Sequence, residues 1–438
     1  MIYSGKKAVG LGLGHSGEAA ALLLREEGAD VTVCESCDNA SLREKAAKLR
    51  ARGIEVILGG DAERDPATYD VCVLSPGIDP GVPLVRNVLG KKIPVIGELE
   101  LAFEECICPV VAITGTNGKT TTTELTTVML RDSGVRTMAS GNIGLPFATA
   151  VRQSTELDVM ILEVSSFQLE TIDAFRPQVA VWLNFSPNHL DRYRDLEDYR
   201  KAKLRVFMNQ TPEDYAIVNA RENLPPISAR RITFSAYEPG ADFTLRDGVI
   251  FYQGEPVLDQ RKTRLEGFHN AENLMAALGV GLALGVELET MAAAVGEFTA
   301  PVHRCELVRD FEGVRWINDS KATNLDSVEK AIHSQTRPTV LIAGGKDKGF
   351  EFDSIAPLVR ERVLVAILIG EMKERIAASW SGVDCRISSS LEEAVAEARK
   401  VARPGDAVLF SPGTSSFDMF RNYGERGNRF KDAVNALK

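Results

Sequence analysis

At 438 residues the chain exceeds what one hydrophobic core organises, so roughly two to four domains of about 100–200 residues each are expected. A formal net charge of −10 argues against a general binder of nucleic acid or anionic membrane, which would need clustered Lys and Arg to displace counterions. No apolar run approaches the ~18 residues of a membrane span, and Met1-Ile2-Tyr3 leads into a strand without a signal-peptide layout, so a cytoplasmic protein is expected.

Lys7 to Asp30 read as a strand, the loop Gly12-Leu13-Gly14-His15-Ser16-Gly17, and a helix through Glu18–Leu24. The strand Val31–Cys34 follows and ends at Glu35, an acidic residue about twenty positions beyond the glycines. Taken alone, this is the layout of a dinucleotide-binding unit and suggests NAD. Strand-like runs at 55–58, 71–74 and 93–96 complete a small α/β domain, with Ser75-Pro76-Gly77-Ile78 turning at a strand end. Ligands of such sheets sit beyond the carboxyl ends of the strands. Cys34-Glu35-Ser36-Cys37 lacks the second pair or histidines of a zinc site and does not open a helix; the seven scattered cysteines are read as reduced, mostly buried thiols.

The second segment begins near Gly97. Residues 109–114 form an apolar strand, Gly115-Thr116-Asn117-Gly118-Lys119-Thr120 a glycine turn, and an amphipathic helix follows. Gly115 and Gly118 let backbone N–H groups approach an anion, and the helix start adds unpaired donors and a positive dipole end. Lys119 would meet outer phosphates and Thr120 would hold magnesium, which makes ATP the expected nucleotide. Ile113 stands where the strict phosphate-loop spacing has glycine, so this is a shortened Gly-x-x-Gly-Lys-Thr form. The runs 159–163 and 179–184 end in the polar clusters Glu163-Val164-Ser165-Ser166-Phe167-Gln168 and Asn188-His189-Leu190-Asp191. Both would lie beside the phosphate loop if these strands run parallel to 110–114. Glu163 reads as a magnesium ligand, because a carboxylate beside phosphates needs a cation between them; the alternative is a helix cap. His189 divides evenly between metal ligand and buried imidazole. Lys203, within the basic stretch Tyr199–Arg205, reads from its neighbours as part of a solvated face. Short strands around 228–257 form a β excursion, and a helix starting near His269 carries Asn270 and Asn273 on one face.

The third segment opens at Pro301-Val302-His303-Arg304. Strands at 315–318, 340–343, 366–369 and 407–410 alternate with helical patterns. Their carboxyl ends carry Asp319-Ser320-Lys321-Ala322-Thr323-Asn324, Gly344-Gly345-Lys346-Asp347-Lys348-Gly349 and Ser411-Pro412-Gly413-Thr414-Ser415-Ser416. Two lysines at neighbouring strand ends suggest an anion pocket, with surface loop charges as the alternative.

With the phosphate loop in view, the chain resembles the Mur ligases, the ATP-dependent amide ligases that build the peptidoglycan precursor peptide. The similarity covers essentially the whole chain. The stretches Glu163–Glu170, Asn318–Asn324 and Ser416-Phe417-Asp418-Met419-Phe420 resemble the members that add D-glutamate to UDP-N-acetylmuramoyl-L-alanine. The Asp-Asn-Pro-Arg-like stretch of the diaminopimelate- or lysine-adding members is absent.

The resemblance implies an α/β fold of three domains: a Rossmann-like UDP-sugar-binding domain at 1–97, a central P-loop ATPase-like domain at 98–300, and a Rossmann-like amino-acid-binding domain at 301–438. It reassigns the first glycine loop from NAD to a UDP-sugar, with Gly14, His15 and Ser16 near the diphosphate, Glu35 and Ser36 near uracil, and Ser75, Gly77 and Asn142 on the same substrate. ATP is implied at Gly115, Thr116, Asn117, Gly118, Lys119, Thr120, Thr121, Asn270, Asn273, Arg304 and Asp319. Thr120, Glu163, His189 and Lys203 are implied around magnesium, in two ions, with Lys203 carbamylated. Thr323, Lys348, Ser416 and Tyr423 are implied for D-glutamate, and Lys119, His189, Lys203 and Lys321 for catalysis. Gly413-Thr414 stands where the family often has Ala-Cys, and Tyr423 where Phe is common. A monomer is expected, with a hinge near Thr299-Ala300-Pro301 closing the third domain. The open alternatives are an NAD-dependent oxidoreductase, a nucleotide-gated binding switch, and a ligase of the folylpolyglutamate type.

Overall fold

The computed structural model describes residues 2–64, 68–79, 81–190, 192–296, 298 and 302–437; Asp191 and the expected hinge at Thr299-Ala300-Pro301 lie outside them. Two units form. The first comprises Met1–Asn184, Glu197–Asp259 and Glu272–Gly296, the second Phe185–Leu196, Gln260–Ala271 and Glu297–Lys438.

The first unit holds two sheets. Strands β1 (Lys7–Leu11), β2 (Asp30–Glu35), β3 (Glu55–Leu58), β4 (Val71–Leu74) and β5 (Val95–Gly97) form an all-parallel sheet in the order β3-β2-β1-β4-β5. The chain reverses its direction of winding beside β1, so the Gly12–Gly17 loop leaves the sheet where a crevice opens. The central sheet uses β6 (Val110–Thr114), β7 (Thr137–Gly141), β8 (Val159–Glu163), β9 (Val179–Trp182), β10 (Tyr215–Asn219), β11 (Arg230–Ser235), β12 (Phe243–Arg246), β13 (Val249–Tyr252) and β14 (Glu255–Asp259). Their order is β14-β13-β12-β11-β10-β9-β6-β8-β7, parallel except for the antiparallel pairs at β12-β13 and β13-β14, which are the expected β excursion. All five residues of β6 are buried. A run of that kind suits a strand covered on both faces. Since β8 and β9 flank β6 in parallel, their carboxyl ends emerge beside the loop that follows β6.

In the second unit, β15 (Glu306–Phe311), β16 (Val314–Asn318), β17 (Thr339–Gly344), β18 (Val363–Ile369), β19 (Asp384–Ile387) and β20 (Ala407–Phe410) take the order β15-β16-β20-β17-β18-β19, parallel apart from β15. Strand β17 shows why its sequence is apolar throughout. Leu341 and Ala343 enter a core on one face, Val340 and Ile342 a core on the other. Successive strand residues face opposite sides, so both faces need hydrocarbon.

The helix Glu98–Glu105 ties the two sheets of the first unit together through carboxylates. Glu100, 1% exposed, accepts from the backbone N–H groups of Asp173, Ala174 and Phe175 at 2.8, 2.7 and 3.0 Å. Glu98, equally buried, accepts from the N–H of Ala148 at 2.6 Å, while its Oε2 has no partner. Burial raises the Glu98 carboxyl to about 7, against the opposing pull of the Ala148 and Phe147 amides. The folded state therefore holds this proton more tightly than the unfolded chain. The resulting contribution to stability is greatest at acid pH and is lost as pH rises through about 7. Glu98→Gln should flatten that slope: between about pH 5 and pH 8 its urea midpoint should fall less than that of the unaltered protein. Equal slopes in the two proteins would contradict the assignment.

Candidate active site

The loop after β6 closes on itself before any ligand is considered. Gly118 caps the helix Lys119–Asp132 with φ of +83°, and a Cβ there would lie 2.6 Å from Asn273 Oδ1. Only glycine fits both requirements. Asn184, just past β9, clamps the loop: its carbonyl accepts from Thr116 N–H at 2.9 Å, its Oδ1 from Asn117 N–H at 2.8 Å, and its Nδ2 donates to Asn117 O at 3.1 Å. Asn273 Oδ1 accepts from Thr122 Oγ1 at 3.1 Å, while Thr120 and Thr121 are buried in the first helical turn.

Two lysines converge on this loop. Lys119 Nζ donates to Gly115 O and Thr116 O, both at 2.9 Å, and Lys203 Nζ donates to the same Gly115 O at 2.9 Å. Lys203 is 2% exposed and stacks over the Tyr199 ring, whose hydroxyl reaches Thr116 Oγ1 at 3.3 Å. The residue-by-residue reading of Lys203 as part of a solvated face is thereby corrected: it lies on the buried side of the helix Leu196–Leu204, while Lys201, two residues earlier, is exposed. Burial, reinforced by the charge of Lys119, holds the Lys203 ammonium well below the usual lysine range, and Glu163 only partly offsets this.

Glu163 ends β8 in register with Ile113 and is 2% exposed. Its Oε1 accepts from Asn142 Nδ2 at 2.7 Å, and its Oε2 is buried without a hydrogen-bond partner. An orphaned buried carboxylate oxygen costs free energy unless a cation or donor meets it. Among the described residues no group of three or more His, Cys, Asp or Glu side chains is placed to hold a metal ion. The donor set instead fits magnesium, which is commonly held by one or two protein oxygens while phosphates and water complete its shell. Glu163 Oε2 is the buried oxygen in the first unit that such a cation would meet.

In the loop after β1, Gly14 and His15 are exposed and Ser16 half-buried at the start of the helix His15–Glu26. Glu35 is spent on the backbone, accepting from Leu13 N–H at 3.0 Å and Cys37 N–H at 2.9 Å, with Ser36 beside it. Ser75 Oγ donates to Gly12 O at 3.4 Å, and Gly77 is exposed. Cys34 is buried and Cys37 exposed, both as free thiols.

The second unit gathers the other candidates. Asn270 and Arg304 line one cavity of about 520 Å³ together with His269, Arg264, Arg315 and Arg337. Asp319 accepts from Cys305 N–H at 3.2 Å and Ser411 Oγ at 2.7 Å; burial raises its carboxyl to about 7. Lys321 Nζ lies 3.9 Å from the centre of the Tyr423 ring, and Lys348 Nζ donates to Thr323 O at 3.4 Å and Asn188 Oδ1 at 3.3 Å, next to His189. Ser416 is buried within the loop that follows β20. His189 thus belongs to the second unit, whereas Thr120, Glu163 and Lys203 belong to the first.

One organising residue escaped the sequence reading. Arg426, 1% exposed in the helix Tyr423–Asn435, donates to Ser320 Oγ at 3.1 Å, Ser320 O at 2.8 Å and Thr414 O at 3.1 Å, joining the loop that carries Lys321 to the one that carries Ser416. Burial lowers its guanidinium to about 9, so it keeps its charge at neutral pH. The sequence marks it only as one arginine among several in a polar helix. Gly413 also acquires a reason: its φ is +76°, and a Cβ would crowd Val328 Cγ2 at 3.0 Å.

Comparison with known proteins agrees along the whole chain. Residues 6–97 match the Mur ligase MurD-like N-terminal domain, 113–281 the Mur ligase middle domain, and 303–413 the Mur ligase glutamate ligase domain. The chain belongs to the Mur ligase family. It is 44% identical to a UDP-N-acetylmuramoylalanine--D-glutamate ligase of Geobacter metallireducens, covering 100% of this chain and 99% of the relative. It is 42% identical to the protein of the same name from Geotalea uraniireducens, covering 99% and 98%. The crystal structure of the Mur ligase MurC, UDP-N-acetylmuramate-alanine ligase, from Thermotoga maritima shares the fold at TM-score 0.62 and 19% identity, over 99% of this chain and 100% of that one. The Mur ligase phosphate loop sets a test: Gly118→Ala should weaken Mg-nucleotide binding by at least ~10-fold, about 1.4 kcal/mol, in isothermal titration calorimetry. Undiminished affinity would refute the steric role of this glycine.

Proposed function

We propose that this Mur ligase joins D-glutamate to UDP-N-acetylmuramoyl-L-alanine at the expense of ATP, in the synthesis of the cytoplasmic peptidoglycan precursor. The observation that carries this reading is whole-length similarity, at 44 and 42% identity, to relatives bearing that name. A phosphate loop with two converging lysines supports it chemically. Residues 1–97 hold the UDP-sugar through Gly14, His15, Ser16, Glu35, Ser36, Ser75 and Gly77, with Asn142 contributing from the next domain. Residues 98–300 hold ATP through Gly115–Thr121, Asn270 and Asn273, joined by Arg304 and Asp319. Residues 301–438 hold D-glutamate through Thr323, Lys348, Ser416 and Tyr423. No helix among the described residues is long and apolar enough to cross a membrane, and the protein acts as a monomer.

A carboxylate is a poor electrophile, so the L-alanine carboxylate first attacks the γ-phosphate of ATP, ADP leaves, and an acyl phosphate forms. Lys119 gives up its two carbonyl partners and neutralises charge that develops on the transferred phosphoryl group. The D-glutamate amine then attacks the acyl carbon. The tetrahedral intermediate expels phosphate, the amine loses its proton, and Lys321 offsets the departing charge. Thr120, Glu163, His189 and carbamylated Lys203 would hold magnesium, as two ions, which would supply charge neutralisation at the phosphates. Lys203 reaches an anionic state by carbamylation: its buried neutral amine adds to carbon dioxide and releases a proton, which converts a repulsive neighbour of Lys119 into an attractive one.

Purified protein mixed with Mg-ATP, UDP-N-acetylmuramoyl-L-alanine and single amino acids should release phosphate, and form a product of the corresponding mass, with D-glutamate. Turnover with a different amino acid and none with D-glutamate would sink the assignment. Lys119→Ala should abolish turnover. Carbon-13 NMR under labelled bicarbonate should show a carbamate carbonyl that disappears in Lys203→Arg; its absence from the unaltered protein would remove carbamylation.

A further inference from the structure

The peptide Cys106-Ile107-Cys108 connects the helix Glu98–Glu105 to β6, the strand that delivers the phosphate loop. Cys106 caps the helix in an extended conformation, φ −82° and ψ 121°. In extended chain the side chains of residues two apart share one face. Here they bring the two Sγ atoms to 3.8 Å, with Cys106 Sγ also 3.4 Å from Cys108 O. Ile107 is 70% exposed at the tip of the connection, and its N–H donates to the buried Ser154 Oγ at 3.4 Å, which steadies the backbone between the thiols. Both cysteines are half-buried and so open to a small reagent.

We propose that Cys106 and Cys108 are a reversible dithiol–disulfide pair, oxidised by exchange with a small external disulfide. The Cys108 thiolate attacks one sulfur of the external disulfide, that S–S bond breaks, and one thiolate leaves. The Cys106 thiol then loses its proton and attacks Cys108 Sγ, expelling the second thiolate and closing the internal bond. Two protein thiols are oxidised and one external disulfide is reduced to two thiols. The order of attack follows the hydrogen bond between the sulfurs, which lowers the Cys108 thiol and raises that of Cys106. A ring closed over three residues on an accessible connection is strained, and disulfides of that kind are the readily reversible ones.

Cys34 on β2 and Cys72 on β4 are both buried and separated by β1, two strand spacings or roughly 10 Å, beyond the reach of a disulfide. Cys37 is exposed and serves as an internal reference for ordinary glutathionylation.

The reduced full-length protein should be equilibrated with graded ratios of oxidised to reduced glutathione, quenched with N-ethylmaleimide, and analysed by intact mass and peptide mapping. The 106–108 peptide should lose two hydrogen masses, take up no maleimide, and recover both thiols after dithiothreitol. Cys106→Ser should instead retain one glutathione at Cys108 as a persistent mixed disulfide. The proposal fails if the unaltered peptide keeps both thiols at ratios where Cys37 already carries glutathione. It fails equally if the peptide carries glutathione without an internal bond.

Discussion

Two ammonium groups share one carbonyl oxygen at Gly115, and the chemistry of the first unit depends on how that charge is resolved. Groups bound to a common oxygen lie no more than ~6 Å apart, where like unit charges repel by about 3 kcal/mol at an effective dielectric constant near 20. Water cannot relieve this at Lys203, because the side chain is buried. The site therefore favours either loss of the Lys203 proton or arrival of negative charge, which in the proposed function a nucleotide's phosphates would bring. Glu163 presents the complementary deficit, a buried carboxylate oxygen awaiting a cation. Two lysines converging on one carbonyl and a buried carboxylate oxygen without a hydrogen-bond partner are the features on which the proposed magnesium–phosphate site rests.

The scaffold explains how these groups meet. A central strand buried along its whole length fixes the phosphate loop, and its two parallel neighbours bring Asn184 and Glu163 to the same end of the sheet. Asn142 braces one oxygen of Glu163 and leaves the other free for a cation. In the second unit a buried arginine does comparable work. Arg426 replaces loop–loop packing with three directed hydrogen bonds, so the loops bearing Lys321 and Ser416 hold their separation. Both units thus hold loops at strand ends through side chains bonded to the loop backbone, Asn184 and Lys203 in the first and Arg426 in the second.

Much of this was legible in the sequence, and the exceptions have physical causes. Strands 55–58, 71–74, 159–163 and 407–410 are found at those bounds, because each is a short apolar run closed by polar or glycine residues. Strands β7, β10, β15 and β19 are not read from the sequence; in the edge strands β15 and β19 no residue is fully buried, and Glu306–Phe311 and Asp384–Ile387 carry charges that blur the alternation. Lys203 shows the limit of local composition. A lysine among lysines and arginines reads as solvated until the helix is oriented, and the family resemblance rather than the residues marked it as functional. Arg426 gives no local signal, since Ser320, which takes two of its three hydrogen bonds, lies 106 positions away in the chain. Asn270 and Asn273 were correctly placed on one helix, but their contacts diverge: Asn273 meets the phosphate loop, and Asn270 lines the cavity around Arg304.

The central claim of the proposed function is that the lysines converging on the loop serve to activate a carboxylate by phosphoryl transfer. Oxygen tracing tests it most directly. When UDP-N-acetylmuramoyl-L-alanine labelled with oxygen-18 in its terminal carboxylate is turned over with ATP and D-glutamate, one labelled oxygen should appear in the released inorganic phosphate for each amide formed. Amide product accompanied by unlabelled phosphate would contradict the account, because the carboxylate oxygen would then never have been bonded to phosphorus.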